Sequence, residues 1–448
     1  MASGRMNIVV ISFDDAVSFW HYKNVFGVEL QTPNLDEICA QSTAFHAAYC
    51  QSPVCNTSRA SFMTGQSPHQ LDFVDPWDRS KGKIFDFISV DQMWSHRLKS
   101  EGYFCSSGGK VHHGFKPLPP KIHNQLYSDE RKGFHLDVNL PPSFPQVQKG
   151  GMGRGQASTD PEHDGFYYDA NSAQSFLDFI GSYDGDQPFY REVGFYSPHM
   201  PFITPIRFKH MYPLRDIKQP ESWADGFEYV GYSKDKIGKN FAGRKPLYWK
   251  RSVRNYFSAY SHGDHHLGTV WRGLKQSKFA DNTIVVILTD HGMHLGDKHR
   301  FGKATLWEQT ACVPLVVHDP RTPRPQVVTD PVGLIDVGPT ILDYVDMPPL
   351  EQSSGQSLRQ AVETGRADPD RAVPTFNHHG SAIRKGDYRL IEYNDGSTEL
   401  FNLRDDWWQQ KLLGEDHPAF GPMHDALRAC CADYGQTAFP TRNVEADP

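Results

Sequence analysis

Cysteine is scarce in this chain, with seven residues among 448, at positions 39, 50, 55, 105, 312, 430 and 431. An odd number at irregular spacing provides neither a disulfide framework nor the paired spacing of a zinc site. Long apolar runs are missing too. None approaches the ~20 residues that a membrane-crossing helix requires, so no membrane partner is expected. Positive charge is not in excess, since 46 Lys and Arg face 53 Asp and Glu for a net charge of −7. The basic stripe of a nucleic-acid binder is therefore absent. The opening residues, Met1-Ala-Ser-Gly-Arg-Met6, enter an apolar strand with no charged segment, apolar core and cleavage site before it. No secretory signal is read there, and a cytoplasmic location is expected.

What is present describes a globular protein. Hydrophobic residues make up 38% and charged residues 22%, a balance that can bury a core. The length suggests two or three domains. Residues 7–13 form a continuous apolar run that stops at Asp14-Asp15, as expected of a strand buried on both faces. Thr32 suits a helix N-cap, Pro33 the first helical position, and Leu35, Ile38 and Cys39 one buried stripe. Cys39, Cys50, Cys105 and Cys312 sit in apolar runs and are expected to be small buried hydrophobes. Strand-like segments 189–195, 283–288 and 313–318 alternate with helical patterns at 91–100, 170–181 and 256–276. That alternation predicts an α/β fold with a mostly parallel central sheet between helices.

The texture changes near residue 365. Strand candidates 388–393 and 399–401 are joined by the turn Asn394-Asp395-Gly396-Ser397, and a helix is expected over 422–434. We read a catalytic domain over 1–364 and a smaller α+β subdomain over 365–448, with a small antiparallel sheet and a helix. The Gly- and Pro-rich stretch 141–164 reads as a surface insertion, and the Trp407-Trp408 pair as an exposed aromatic patch suited to homo-oligomer contact. Ligands of open α/β sheets gather beyond the carboxyl ends of strands. Asp14-Asp15 and Asp290-His291, each closing an apolar strand, are therefore predicted on one rim.

Five segments carry candidate chemistry. In Cys55-Asn56-Thr57-Ser58-Arg59, a cysteine at a helix start with a cation four residues on favours a thiolate or a bound anion. A buried thiol with a surface arginine is the alternative. Asp14-Asp15 is either a polar turn or part of a site for a hard cation with oxygen ligands. Leu288-Thr-Asp290-His291-Gly-Met-His294-Leu-Gly-Asp297 ends a strand in polar groups, with Lys303 downstream. In Gly108-Gly109-Lys110-Val-His-His113, two glycines let backbone approach an anion. In Ser197-Pro-His199-Met-Pro201, prolines fix the backbone around a histidine.

Taken together these segments resemble the sulfatase family, and over residues 14 to 303 they follow its order. Cys55, Arg59, Met63, Thr64 and Gly65 fit the signature in which the cysteine is oxidised to formylglycine, whereas Thr57 replaces the usual Pro and Gln66 a common basic residue. Thr32-Pro-Asn-Leu-Asp36, Tyr212-Pro213-Leu214 and Glu399-Leu-Phe-Asn-Leu403 are most similar to iduronate-2-sulfatase-like members. The resemblance implies a formylglycine-dependent hydrolase of sulfate monoesters within the alkaline phosphatase superfamily, with a maturation enzyme as partner and a small sulfated substrate such as a sulfated sugar. It implies one Ca²⁺ per chain, ahead of Mg²⁺ or Mn²⁺, held by Asp14, Asp15, Asp290, His291 and the modified Cys55. Arg59, Lys110 and Lys303 would neutralise the sulfate, His199 with Lys303 would protonate the departing oxygen, and His113 would take the proton of the second step. The alternatives are a phosphonate or phosphate ester hydrolase of the same superfamily, a two-zinc phosphatase using Thr57 or Ser58, and a protein that binds sulfated ligands without cleaving them.

Overall fold

The computed structural model describes residues 5–77, 83–114, 117–131, 140–146 and 152–440. Its main sheet follows from the apolar runs. In spatial order the strands are Gln326–Val328, Thr43–Tyr49, Cys312–His318, Thr283–Thr289, Asn7–Asp14, Phe189–Pro198 and Phe104–Gly109, with Val332–Gly333 pairing beside Thr43–Tyr49. Cys312–His318 runs antiparallel to both of its neighbours, and the other pairings are parallel. Every residue of Asn7–Asp14, Thr283–Thr289 and Phe189–Pro198 is buried, which explains why these strands read as uninterrupted apolar runs.

Alternate side chains of one strand serve opposite faces, so the sheet divides two cores. Ile8, Val10, Ile284, Val286 and Leu288 pack on one face with Phe62, Trp94 and Ile341. Val9, Ile11, Phe13, Val285 and Ile287 pack on the other with Phe176, Phe257, Tyr260 and Trp271. The first layer is built by helices Cys55–Thr64, Trp94–Ser100 and Val337–Tyr344, the second by Pro33–Cys39, Tyr168–Ser182 and Pro246–Lys275. Pro246–Lys275 begins ten residues before the predicted 256. Its first turns carry Lys250, Arg251 and Arg254 around Val253, and before Tyr256 only Trp249 and Val253 are buried apolar residues.

A second sheet, Val373–Asn377, Gly380–Lys385, Tyr388–Tyr393 and Thr398–Asn402, is wholly antiparallel. Helix Phe420–Asp433 covers it through Met423, Leu427 and Cys431 against Phe376, Ile383, Leu390 and Leu400. The sheet is stitched to the chain leading into the Cys55 helix. Thr375 Oγ1 donates to the Cys50 carbonyl at 2.9 Å, and the Phe376 N–H donates to the Gln51 carbonyl at 2.9 Å. Arg371 clamps Asp336 with both guanidinium branches, at 2.6 and 2.8 Å.

Three expectations need correction. Trp407 and Trp408 are half-buried against Tyr22, Phe26, His21 and Trp223, so their ring faces are used within the chain. Cys39 is only half-buried because it lies at the end of its helix, while Cys50, Cys105 and Cys312 are buried. The 141–164 stretch is anchored rather than a free surface loop, since Gln156–Ser158 pairs with Ile203–Pro205. Residues 147–151 of that stretch lie outside the described residues, as do residues 78–82. Among the described residues, no helix is long and apolar enough to cross a membrane.

Candidate active site

Parallel pairing carries two strand ends to one place. Phe13 sits opposite Thr289 across the ladder, so the residues that follow, Asp14-Asp15 and Asp290-His291, emerge side by side. Asp15 is turned by a left-handed backbone, φ 62°, which is uncommon for a residue with a side chain. Neighbours hold it there: its N–H donates to Asp290 Oδ1 at 3.1 Å, and the Tyr256 hydroxyl donates to its carbonyl at 2.6 Å. Ala16 N–H is taken by Thr289 Oγ1 at 3.1 Å.

Cys55 is the first residue of helix Cys55–Thr64, all ten residues of which are buried despite its polar sequence. The polar groups are satisfied locally. Ser58 Oγ donates to the Asp290 carbonyl at 2.5 Å, Thr57 Oγ1 meets Ser52 Oγ at 2.6 Å, and Asn56 Oδ1 accepts the Thr57 N–H at 2.9 Å. Thr57 thus takes a place where proline would lose only an N–H of the first helical turn. Arg59 has no solvent exposure, which removes the surface-arginine alternative. Its Nε donates to Asp290 Oδ2 at 3.1 Å, and its two Nη atoms reach the carbonyls of Lys110, Val111 and Phe13 at 2.9 to 3.2 Å.

Lys110 arrives from the end of Phe104–Gly109. Gly109 has φ 86°, and a Cβ there would stand 1.9 Å from the Gly194 carbonyl oxygen. The glycine is needed for that strand crossing, not for approach to an anion as the sequence suggested. The Lys110 ammonium then lies on Asp14. Lys303 donates to Asp15 Oδ1 at 2.6 Å and to Cys55 Sγ at 2.8 Å. His291 Nδ1 lies 2.9 Å from the Gly292 carbonyl, which can only accept, so Nδ1 bears the proton and Nε2 presents its lone pair. That Nε2 is 3.2 Å from Cys55 Sγ and 3.2 Å from Asp15 Oδ1. His199 directs Nε2 toward Asp15 Oδ2 at 3.7 Å, while its Nδ1 contacts the Met200 carbonyl and, at 3.1 Å, the Tyr196 hydroxyl.

Ligand atoms of Asp14, Cys55, Asp290 and His291 fall within 4.8 Å of one another, as do those of Asp14, Asp15, Cys55 and His199. Asp14 Oδ1 is buried and, among the described residues, has no hydrogen-bond partner. An unpaired buried carboxylate oxygen among two further carboxylates fits a hard divalent cation, which takes oxygen ligands. His199 enters this set unforeseen, because nothing in a Pro-His-x-Pro pattern tells that its strand lies beside Asp14. His113 stands at the edge, exposed at φ 64°, and among the described residues it forms no hydrogen bond.

Electrostatics sharpen the arrangement. Burial, opposed by Lys303 and reinforced by Asp290 and Asp15, pushes the Cys55 thiol up to about 12. The cation and helix start do not produce the thiolate that the sequence alone suggested. Burial favours neutral Asp290, but Arg59, Lys303 and Lys110 outweigh it and hold the carboxyl well below its usual range. Asp15 is likewise lowered against burial, with the Lys303 ammonium at 2.6 Å as the full charge that faces it. Lys303 is raised because Asp15, Cys55 and Asp290 overcome its burial. Burial brings Lys110 down to about 7. It also brings His199 down to about 3. His113, though it keeps solvent-exposed surface, has its ring partly desolvated beside the cluster, and that desolvation with Lys110, Arg59 and Lys303 brings it down to about 4.

Two features were missed in the sequence. Tyr196 lies under Lys110, 5.5 Å from ring centroid to ammonium, and touches His199. His294, bonded to Asp297 and at 2.7 Å to Thr305 Oγ1, braces the loop that delivers Lys303. Both residues stand in the strand-end motif read from the sequence, but their pairing did not show there.

The fold and this cluster define a hydrolase that works on an anionic ester among buried carboxylates and cations. Residues 6–347 match the sulfatase family profile, and the chain belongs to that family, the sulfuric ester hydrolases. A sulfatase of Formosa agariphila is 28% identical over 435 residues, covering 90% of this chain and 82% of the relative. Human iduronate 2-sulfatase is 26% identical over 400 residues, covering 82% and 66%. Among solved structures, one in complex with its substrate D-glucosamine-2-N,6-O-disulfate superposes with a TM-score of 0.76 at 17% identity, over 97% of this chain and 99% of the other. A phosphonate monoester hydrolase of Agrobacterium radiobacter follows at 0.72 and 18%, over 96% of each. At these identities the likeness to solved structures concerns the fold.

Proposed function

We propose that the chain hydrolyses sulfate monoesters of a sulfated sugar, using an aldehyde made from Cys55 and one bound divalent cation, Ca²⁺ ahead of Mg²⁺ or Mn²⁺. The observation that carries this reading is the state of Cys55. Its thiol is sealed among three carboxylates, receives a hydrogen bond from Lys303 and is held protonated up to about 12. Such a thiol is a poor nucleophile, so the most heavily framed position in the site needs other chemistry. Oxidation to formylglycine would exchange the sulfur and two hydrogens for one oxygen. In hydrated form it would supply the attacking hydroxyl, while the cation would offset the charge of the ester.

The chain's own groups then have distinct tasks. Asp14, Asp15 and Asp290 would hold the cation, with His291 Nε2 beside position 55. Arg59 acts through others, because its donors end on Asp290 and on the backbone that carries Lys110. Lys110 and Lys303 bring ammonium charge into the cluster, where an anionic ester is otherwise repelled. The order given to His199 and Lys303 is reversed here. His199 is neutral in the free protein, whereas Lys303 keeps its proton throughout the working range, and an alkoxide leaving group is basic enough to take it. His199 then orients that side of the ester, and neutral His113 accepts the later proton.

Intact-mass measurement tests the reading directly: protein made with a maturation enzyme should lose one sulfur and two hydrogens and gain one oxygen at position 55. Cys55→Ala should fold with an unchanged melting temperature and show no turnover of a sulfated sugar. Full activity in Cys55→Ala would falsify the proposal. Because the fold is shared with a phosphonate hydrolase, an aryl phosphonate belongs in the assay, and a higher rate on it than on the aryl sulfate would transfer the assignment to that chemistry.

A further inference from the structure

Residues 231 to 254 stand out against the acidic whole. They contain eight Lys and Arg and a single acid, Asp235, in a chain of net charge −7. Lys234, Lys236, Arg244 and Lys245 are exposed and Lys239 is half-buried. Among the described residues none of these five has an ion-pair partner within 4 Å. Lys239 instead lies over the Tyr229 ring at 4.1 Å.

Two separate ties fix this strip at the lip of the site. Arg300 donates to the Gly238 carbonyl and, at 3.3 Å, to the carbonyl of Lys303 itself. Alongside, the Asn240 side chain exchanges hydrogen bonds with Phe301 at 2.9 and 3.0 Å. The second tie runs through the C-terminal sheet. The Tyr232 hydroxyl is 3.3 Å from His379 Nδ1, and Asn377 Nδ2 donates at 3.3 Å to the carbonyl of Ala304, the residue after Lys303. A line of uncompensated cations therefore ends beside the ammonium that touches Cys55.

We propose that this strip is a docking face for a multiply sulfated oligosaccharide, which presents one sulfate at Cys55 while its flanking sulfates lie along Lys234, Lys236 and Lys239. The inference rests on the sulfate-ester reading above and extends it to the substrate's length and charge. Such a surface acts through long-range attraction and is screened by salt. A compact aryl sulfate, filling only the inner site, lies outside its reach.

The test compares an aryl sulfate with a sulfated oligosaccharide of defined length, using wild type and K234E/K236E/K239E, with K236E alone as the milder variant should the triple change impair folding. On the oligosaccharide, kcat/KM should fall about tenfold on charge reversal, chiefly through KM, and similarly between about 0.05 and 0.3 M salt; aryl sulfate turnover should change less than about twofold. The docking face is overturned if wild type hydrolyses the aryl sulfate yet neither salt nor charge reversal alters oligosaccharide turnover. It is equally overturned if single-stranded DNA of matched charge competes as strongly as the oligosaccharide, which would make the strip a general polyanion surface. A wild type inert toward both esters removes the hydrolase reading instead. Direct titration of the oligosaccharide against wild type and variant then still decides whether the face binds it.

Discussion

Arg59 has no solvent contact, and four protein oxygens surround its guanidinium. A lysine could satisfy one or two of them and would leave the others bare. Leaving a buried acceptor without its donor typically costs about 1–3 kcal/mol. Arg59→Lys should therefore lower the unfolding free energy by at least that order as well as lose turnover; a fully stable but inactive variant would return Arg59 to direct contact with the ester. Asp290 belongs to the same scale. On our reading of the metal site, Ca²⁺ should raise the melting temperature of chelator-treated wild type and restore its turnover, and should do neither for Asp290→Asn. Calorimetric titration provides a readout that does not depend on catalysis. Most of these residues could be picked from the sequence because each sits at a strand end or helix start, where local pattern points to it. Their states could not. The residues around Cys55 suited either a thiolate or bound anion beside a cation or a buried thiol, and only three-dimensional placement shows that burial and the two carboxylates prevail.

Elements are held by residues far away in sequence, which is why their ends were the least legible part of the fold. Thr32 occupies the N-cap of Pro33–Cys39, yet its side chain does not cap; its Oγ1 receives Lys23 Nζ at 3.1 Å. The cap comes from Asp264, 230 residues on, which accepts the N–H groups of Asn34 at 3.1 Å and Leu35 at 2.8 Å. Asp264→Ala should cost about 2 kcal/mol, measured by urea unfolding, because it strands the buried Leu35 N–H and the half-buried Asn34 N–H. Strand Phe189–Pro198 offers a pH test. Burial raises Glu192 to about 7 although the Tyr127 and Tyr190 hydroxyls donate to it. A carboxyl whose folded pKa is raised favours folding while it stays protonated, so its contribution is complete below the unfolded value near 4.5 and is lost as pH rises through about 7. Stability of wild type should fall between these limits by up to about 3 kcal/mol, and Glu192→Gln should flatten that slope. An equal slope in both proteins would place the titration elsewhere.

Across the whole molecule, the alternation of apolar runs and amphipathic stretches was enough to read a parallel sheet between helices, since each strand buried on both faces advertises itself as an unbroken run. The reversed strand Cys312–His318 looks the same in sequence as its parallel neighbours, because burial and not direction sets composition. The stitch between the two sheets rests on the carbonyls of Cys50 and Gln51, met by the Thr375 hydroxyl and the Phe376 N–H, and a single hydroxyl leaves little trace in residue type. Its mechanical role is nonetheless plain: the strand that binds the approach to the Cys55 helix comes from the last fifth of the chain. Arg371→Ala, which removes the clamp on Asp336, should loosen that connection and raise amide exchange at residues 50–54 ahead of global unfolding; unchanged exchange there would show the two sheets to be independent.

The depth of Cys55 sets an order of events. A side chain with 3% of its surface exposed, roofed by Lys303 and closed in by a strand made late in synthesis, offers another protein nothing to grasp once the fold is complete. If an outside catalyst rewrites that residue, it has to do so on a nascent or still-open chain. Whichever process is faster, closure or chemical maturation, then fixes the proportion of molecules that emerge competent, and no later treatment of the finished protein can recover the remainder.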